Sequence, residues 1–463
     1  MSRALLHAVA AAALLAGCAS MAPTYERPAA PVAAAFPAEP GAAGGAAQAV
    51  DIPWQQFFAD ARLKRLIEIA LANNRDLRVA VLSIEQARAQ FDIRRADEWP
   101  TLNAGVSGSR VPNGRGAIVN TYSAGLLVTS YELDLFGRVR SLADAALAQY
   151  LATEEARKAA QISLVAAVAT SQLALQADDE LLRVVQATLD SREASYQLSK
   201  LRFDNGAASQ LDLSQAESSL AAARVALAQS VRQRMTDENA LVLLLGQPLP
   251  ADLPPALPDA SAPALPDLPA GLPSEVLTRR PDVRQAEQQL IAANASIGAA
   301  RAAFFPKITL TGSVGSASSE LAGLFKSESF AWSFAPQLLQ PIFDAGRNQA
   351  TLKSVQVGRD IALAQYERAV QSAFREVADA LAGRATLGEQ LLAQHDQVKS
   401  EQERIALVEL RYRHGAGSYL ELLDAQRSLF AAQQAEVQLR ALRQQNLVTL
   451  YKVLGGGWTA AER

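Results

Sequence analysis

The chain has 463 residues, is 49% hydrophobic with only 6% aromatics, and carries a formal net charge of −3. That charge leaves no basic footprint for nucleic acid. No run of 18 apolar residues follows the N-terminal leader, so no membrane-crossing helix is expected. Much of the apolar share is alanine, which packs helices closely without filling a wide core.

Residues 1–17 hold Arg3 and then an apolar run from Ala4 to Leu15 broken only by His7. This is the pattern of a secretory signal peptide, which takes no part in the fold. It ends Leu15-Ala16-Gly17-Cys18, which resembles a bacterial lipobox and would make Cys18 the lipidated first residue of the mature chain. Ala19 follows rather than aspartate, and by resemblance to other lipoproteins that favours the outer membrane. An ordinary signal followed by an incidental cysteine is the plainer alternative. Cys18 is the single cysteine, so no intrachain disulfide can form although the compartment would permit one. Residues 18–59, rich in Ala, Pro and Gly up to about residue 50, read as a lipidated N-terminal tether, flexible or extended.

The remainder is built twice. Leu201–Glu217 and Leu410–Gln426, 209 residues apart, agree at eight of seventeen positions, among them Gly206 with Gly415 and Ser209 with Ser418. Asn74 and Trp99-Pro100 match Arg280 and Phe305-Pro306 at an offset of 206, whereas Gly137-Arg138 and Leu245-Gly246 match Gly346-Arg347 and Leu454-Gly455 at 209. The three-residue change places a loop between about 100 and 137. A period this long marks a duplicated block rather than a solenoid unit. One repeat covers 60–246 and the other 274–455. Between them the linker 247–273 holds nine prolines and reads as extended chain; a short tail, 456–463, closes the sequence.

Each repeat opens with a helix, over about 62–98 and 274–304, that must stop before Pro100 and Pro306. The period then switches to two. Leu102, Ala104 and Val106 alternate with small polar residues, as do Ile308, Leu310 and Val314, and partner strands are expected near 122–133 and 329–339, where Phe330, Trp332 and Phe334 share a face. From Gly137 to Phe203 there is neither proline nor interior glycine, and Val168, Leu175, Leu182, Leu189, Tyr196 and Phe203 recur every seven residues. Val377, Leu391, Val398, Ile405 and Tyr412 keep the same spacing, with Arg384 as a polar intruder. A sustained heptad predicts coiled-coil packing, and some 65 helical residues would run about 100 Å. Gly206 and Gly415 sit where a left-handed residue ends a helix. Ser209 and Ser418 then read as N-caps, with Asp212 and Glu421 at capping-box spacing. Return helices over about 209–245 and 418–454 complete one long helical hairpin per repeat.

The strands pose a problem of closure. Taken singly they are soluble hairpins, but about ten residues also suits a bilayer crossing. Four strands cannot close a membrane barrel, since an open edge is not tolerated in lipid. If they span, the barrel is shared, with eight strands in a dimer or twelve in a trimer. Nothing points to catalysis or cofactors: no phosphate loop or nucleophile motif occurs, and His395 and His414 have no second ligand at metal spacing.

The lipobox, the doubled hairpin, the junctions Leu133-Asp134-Leu135-Phe136-Gly137-Arg138 and Pro341-Ile342-Phe343-Asp344-Ala345-Gly346-Arg347, and the segment from Arg411-Tyr412 through Gly415 to Leu420-Glu421-Leu422-Leu423-Asp424-Ala425 together resemble the TolC family of outer-membrane efflux proteins. The lipidated form is similar to its NodT-type branch, the partners of resistance-nodulation-division pumps. The resemblance implies a mainly α fold with a small membrane β part. Three protomers would form a twelve-stranded barrel continued by a periplasmic α-helical tunnel. It also implies docking of a periplasmic adaptor near the turns at Gly206 and Gly415, an acidic ring at the aperture from Glu421 and Asp424, and a gate link between Tyr412 and Asp212. Gly417 stands where the best-known gate has an arginine, so that link is missing or replaced. Capping alone also accounts for Asp212 and Glu421, and packing for Tyr412. The resemblance implies a passive, non-enzymatic exit duct of a tripartite efflux pump. Other readings are the outlet of a type I protein-secretion system and, in a different class, a periplasmic coiled-coil scaffold lipoprotein without a channel.

Overall fold

A computed structural model describes residues 20–34, 36, 52–114, 116–255, 265–266 and 274–458. The signal segment, Cys18 and most of the proline-rich linker lie outside the described residues. The chain forms two compact units, one from Met1–Ala30, Leu82–Glu155 and Arg284–Ala369, the other from Pro31–Val81, Ala156–Val283 and Val370–Arg463.

The first repeat comprises α1 (Trp54–Phe57), α2 (Ala61–Asn73), α3 (Arg75–Ala96), β1 (Leu102–Pro112), β2 (Ile118–Glu132), α4 (Arg138–Asp204) and α5 (Gln210–Leu245). The second comprises a 3-10 turn (Ser274–Arg279), α6 (Pro281–Ala302), β3 (Lys307–Ser318), β4 (Phe330–Leu339), α7 (Arg347–Arg413) and α8 (Tyr419–Val453). The long helices α4 and α7 have 67 residues each. Every position of the two heptad seams within them is buried or half-buried, Arg384 included. One window of α4 is long and apolar enough to cross a membrane by length and composition, although it contains no unbroken apolar run. Alanine raises its average, and half of that window is buried against neighbouring helices.

In the second unit the opening helix of each repeat is broken rather than continuous as expected, and for related reasons. Asn74 takes an extended conformation between α2 and α3. Its Oδ1 accepts from the Leu77 amide and its Nδ2 donates to the Leu244 carbonyl oxygen, both at 2.9 Å. At the matching place Arg280 precedes Pro281, a residue suited to a first helical turn, and donates to the Val453 carbonyl oxygen at 2.8 Å. The buried Arg280 guanidinium is neutralised by Asp282 and Glu376 at 2.6 and 2.8 Å. Each repeat is thus stapled from the break in its opening helical segment to the last turn of its return helix. The tether expected through residue 59 ends sooner, because Trp54, Phe57 and Phe58 are buried and Phe57 stacks on Tyr451 with ring centroids 3.9 Å apart.

In the first unit the four strands form one antiparallel sheet in chain order. Its register puts Ala104, Leu126, Val314 and Trp332 in one row, and Val106, Ala124, Ser316 and Phe330 in the next on the same face. The opposite face carries the rows Asn103, Leu127, Ser313, Ser333 and Gly105, Gly125, Gly315, Ala331. There Ser107 meets Ser123, and Ser313 meets Ser333, each at 2.7 Å. One face is therefore apolar and exposed, with Val106, Phe330 and Trp332 all solvent-accessible, and the other is mainly small and polar, Leu127 apart, in the middle rows of the sheet. The outer edges of β1 and β4 pair with nothing among the described residues. The segment 20–30 is extended but not loose. It runs antiparallel along α6, with Arg301 donating to Met21 O at 3.2 Å, Asn294 to Pro23 O at 2.7 Å and Arg27 bidentate to Glu287 at 2.7 and 2.9 Å.

Candidate functional site at the hairpin turns

Both long helices end in the same way. Gly206 has φ +72° and Gly415 φ +75°. The amide of Ala207 bonds Arg202 O and that of Gly206 bonds Phe203 O; Ala416 and Gly415 repeat this with Arg411 and Tyr412. These are paired Schellman ends, and glycine supplies the left-handed residue without a Cβ penalty. Around both glycines there is open space, so their role is conformational.

The return helices start differently. Ser209 and Asp212 form the full reciprocal capping box. In the second copy Ser418 accepts from the Glu421 amide at 3.2 Å, while the Glu421 carboxylate lies 3.7 Å from the Arg411 guanidinium. Asp424 is held by Arg404, which also pairs with Glu401 at 3.1 Å. The hydrogen bond to Asp424, with the charge of Glu401 behind it, pushes the Arg404 pKa above its ordinary value. Arg404 and Arg411 escaped the sequence reading, yet a signal was present. Residues at nearly equal distances on either side of a hairpin turn lie near each other, and 404 with 424, and 411 with 421, are such pairs about Gly415.

Tyr412 and Asp212 are not joined. Asp212 Oδ2 accepts from the Ser209 amide and hydroxyl at 3.2 and 2.9 Å, whereas Tyr412 is buried with Tyr419, Leu422, Leu423 and Ala216. The Arg202 guanidinium stands 4.8 Å from the Tyr412 ring centroid, a favourable cation–π distance. Burial, then the neighbouring Tyr412, push the Tyr419 hydroxyl up to about 12. At Gly417 a Cβ would stand 3.3 Å from Arg411 Cβ and 3.4 Å from Glu421 Oε2, so Arg411 already fills the place beside Glu421. His414 is exposed in the turn, and His395 pairs with Glu436 at 3.0 Å. Among the described residues no group of three or more His, Cys, Asp or Glu is placed to hold a metal.

Farther along the first hairpin, Asp178 sits beside Asp237. Burial, then the hydrogen bond and charge of Asp237, push Asp178 up to about 7. The folded protein thus holds this proton more tightly than the unfolded chain, whose aspartate titrates near about 3.9. The stability gained is complete below the unfolded value and is lost as pH rises through about 7. Asp178→Asn should therefore raise the melting temperature at pH 8 and leave it unchanged near pH 4. Equal pH profiles for the two proteins would contradict the raised Asp178 pKa.

Two stretches of the chain, residues 66–247 and 272–456, match the profile of the outer membrane efflux protein family. The chain belongs to that family. Membership places it in the outer membrane and accounts for the doubling, since the two matched stretches are the two repeats. It is 47% identical over 470 residues to the toluene efflux pump outer membrane protein TtgC of Pseudomonas putida, covering 99% of this chain and 96% of that one. It is likewise 47% identical over 458 residues to outer membrane protein OprJ of Pseudomonas aeruginosa, covering 96% and 94%. Among solved structures, the open state of the Neisseria gonorrhoeae MtrE outer membrane channel superposes with a TM-score of 0.86 at 42% identity, covering 95% of this chain and 99% of that one.

Proposed function

We propose that three copies of this outer membrane efflux protein close a twelve-stranded barrel, four strands from each, and that their helical hairpins continue it as a periplasmic tunnel. The duct passively conducts small molecules outward. It does so when a periplasmic adaptor, fed by an inner-membrane resistance-nodulation-division transporter, docks around the turns at Gly206 and Gly415. Cys18 carries the lipid that holds the N-terminus in the membrane. The observation that carries this reading is the sheet, which is apolar on one face, small and polar on the other, and open at both edges. A bilayer tolerates no such edge, so β1 and β4 must meet other copies. Eight strands leave an interior that side chains fill; the glycine and serine rows suit a wider, water-filled lumen. The relatives' names mention toluene and antibiotic efflux, which favours small molecules over secreted proteins.

The test is a heat-modifiable oligomer on gels together with single-channel conductance in planar bilayers. A coiled-coil scaffold would give neither. Within the duct, Glu421 and Asp424 are the proposed acidic ring at the aperture, and the Tyr412–Asp212 link would form only between neighbouring hairpins. Three copies of each carboxylate attract cations, but Arg404 offsets Asp424 within its own chain. Replacing Glu421 and Asp424 by alanine should weaken block by divalent cations and raise conductance. Arg404→Gln should do the opposite and deepen the block, because it leaves Asp424 bare. Unchanged block in both variants would remove these residues from the pore axis.

A further inference from the structure

The foot of the sheet in the first unit is built twice to one plan. Where β2 runs into α4, the Tyr131 hydroxyl donates to the Glu98 carbonyl oxygen at 3.0 Å. Where β4 runs into α7, Gln340 Nε2 donates to the Phe304 carbonyl oxygen at 3.1 Å. Residues 340 and 304 are 131 and 98 displaced by the two repeat offsets, 209 and 206. The first foot also leans on the start of the second repeat. There the Leu133 amide donates to the Ile308 carbonyl oxygen at 2.9 Å, and the Phe136 ring stacks on Phe305 with centroids 4.8 Å apart and planes 22° apart. Leu133 and Phe136 are half-buried as a result. The second foot lies at the open β4 edge, with no further strand beside it among the described residues. Ile342, at the place of Leu133, is 96% exposed, and Phe343 beside it 89%. Before the other open edge, β1, Trp99 stands at the place of Phe305 and is 73% exposed.

Large apolar side chains left open at both free edges mark surfaces that another chain covers. We infer that Ile342 and Phe343 of one copy dock on Trp99 of the partner subunit, so that the contact between repeats is made again between copies. This rests on the barrel reading above, in which the β4 edge meets the β1 edge of another copy, and it names the residues that meet. The Ile342 amide then donates to the carbonyl oxygen of Leu102 of the partner subunit, as Leu133 does to Ile308, because 102 and 308 are also 206 apart. One residue departs from the template. Ala345 holds the place of Phe136, with φ +53°, so the ring comes from Phe343, two residues earlier. Phenylalanine on tryptophan keeps the area and the stacking preference of the original pair. The contact joins two different surfaces, and such a head-to-tail contact closes a ring when its rotation allows. Around that ring each foot is covered in turn by its own chain and by the next.

The experiment uses the full-length protein in membranes. p-Benzoylphenylalanine in place of Phe343 keeps an aromatic ring, so assembly is preserved. Illumination should give covalent dimers on gels of heated samples, and mass spectrometry should find the adduct in the peptide that contains Trp99. Phe343→Ser and Trp99→Ser should each lower the heat-modifiable oligomer at least about tenfold, through loss of one buried aromatic face at every junction. Phe343→Tyr, which keeps the ring, should retain it. Adducts to lipid alone, with the oligomer intact, would overturn the contact and leave the barrel standing. Wild-type amounts of oligomer in both serine variants would do the same. Failure of the unmodified protein to form any oligomer would overturn the barrel reading and this contact together.

Discussion

Placing a valine at position 315 should abolish the assembled outer-membrane form of this protein. Gly315 faces Gly125 across the β2–β3 ladder, and a Cβ built at either overlaps a carbonyl oxygen of the other strand, Ala124 O or Val314 O. The obstacle is backbone rather than a side chain, so no change of rotamer relieves it; the cost is roughly 3 kcal/mol or more per chain. Since β2–β3 is also where the two repeats join into one sheet, losing it leaves two separate hairpins, too small to hold together alone. Gly312→Ala is the control, for it meets only Ser333 O at 3.4 Å in the same strand. The heat-modifiable oligomer in membrane fractions should vanish for Gly315→Val and persist for Gly312→Ala. Normal amounts of assembled Gly315→Val would overturn the strand register.

The second large effect lies in the other unit. Phe57 is fully buried, stacked on Tyr451 and set edge-on to Phe58, in the unit that also holds the completely buried Leu66, Leu241, Leu245 and Leu450. Phe57→Ala should lower stability by about 3–5 kcal/mol, because the surrounding helix ends cannot all collapse into the space. Tyr451→Phe removes only the hydrogen bond from its hydroxyl to Ile52 O, worth about 1 kcal/mol. Denaturant midpoints of the purified protein should order the three as wild type, Tyr451→Phe, Phe57→Ala. A Phe57→Ala midpoint equal to that of Tyr451→Phe would mean that α1 does not belong to the core.

Much of this was legible in the residues. Duplication fixes the order of elements, heptads the long helices, and glycine followed three residues later by serine the two turns. Alternation identified which residues of each strand share a face, though not that all four strands present the same apolar face; that depends on pairing register, which no single strand encodes. The break at Asn74 has its cause 170 residues away, in the carbonyl group of Leu244, whereas the break at Arg280 has a local one, since the residue before Pro281 is disfavoured in a helix. At Asn74 pattern reading within a window favours one continuous helix, and only the tertiary hydrogen bond stops it. At the turns, capping-box spacing marks the carboxylates Asp212 and Glu421 and the family resemblance marks Asp424, but the arginines that meet Glu421 and Asp424 lie across the hairpin, outside any local pattern.

The staples at Asn74 and Arg280 also bear on how such a chain could arise. Each ties the beginning of a repeat to its end, so that residues about 170 positions apart come within one hydrogen bond, 2.9 Å in the first copy and 2.8 Å in the second. A segment whose two ends already meet is a closed circuit. It can be copied in tandem without remodelling its interior, because the new copy needs only a strand of chain to reach its own starting point. That geometry makes the internal doubling a short genetic step, and it leaves the linker between the copies free to vary in length and composition.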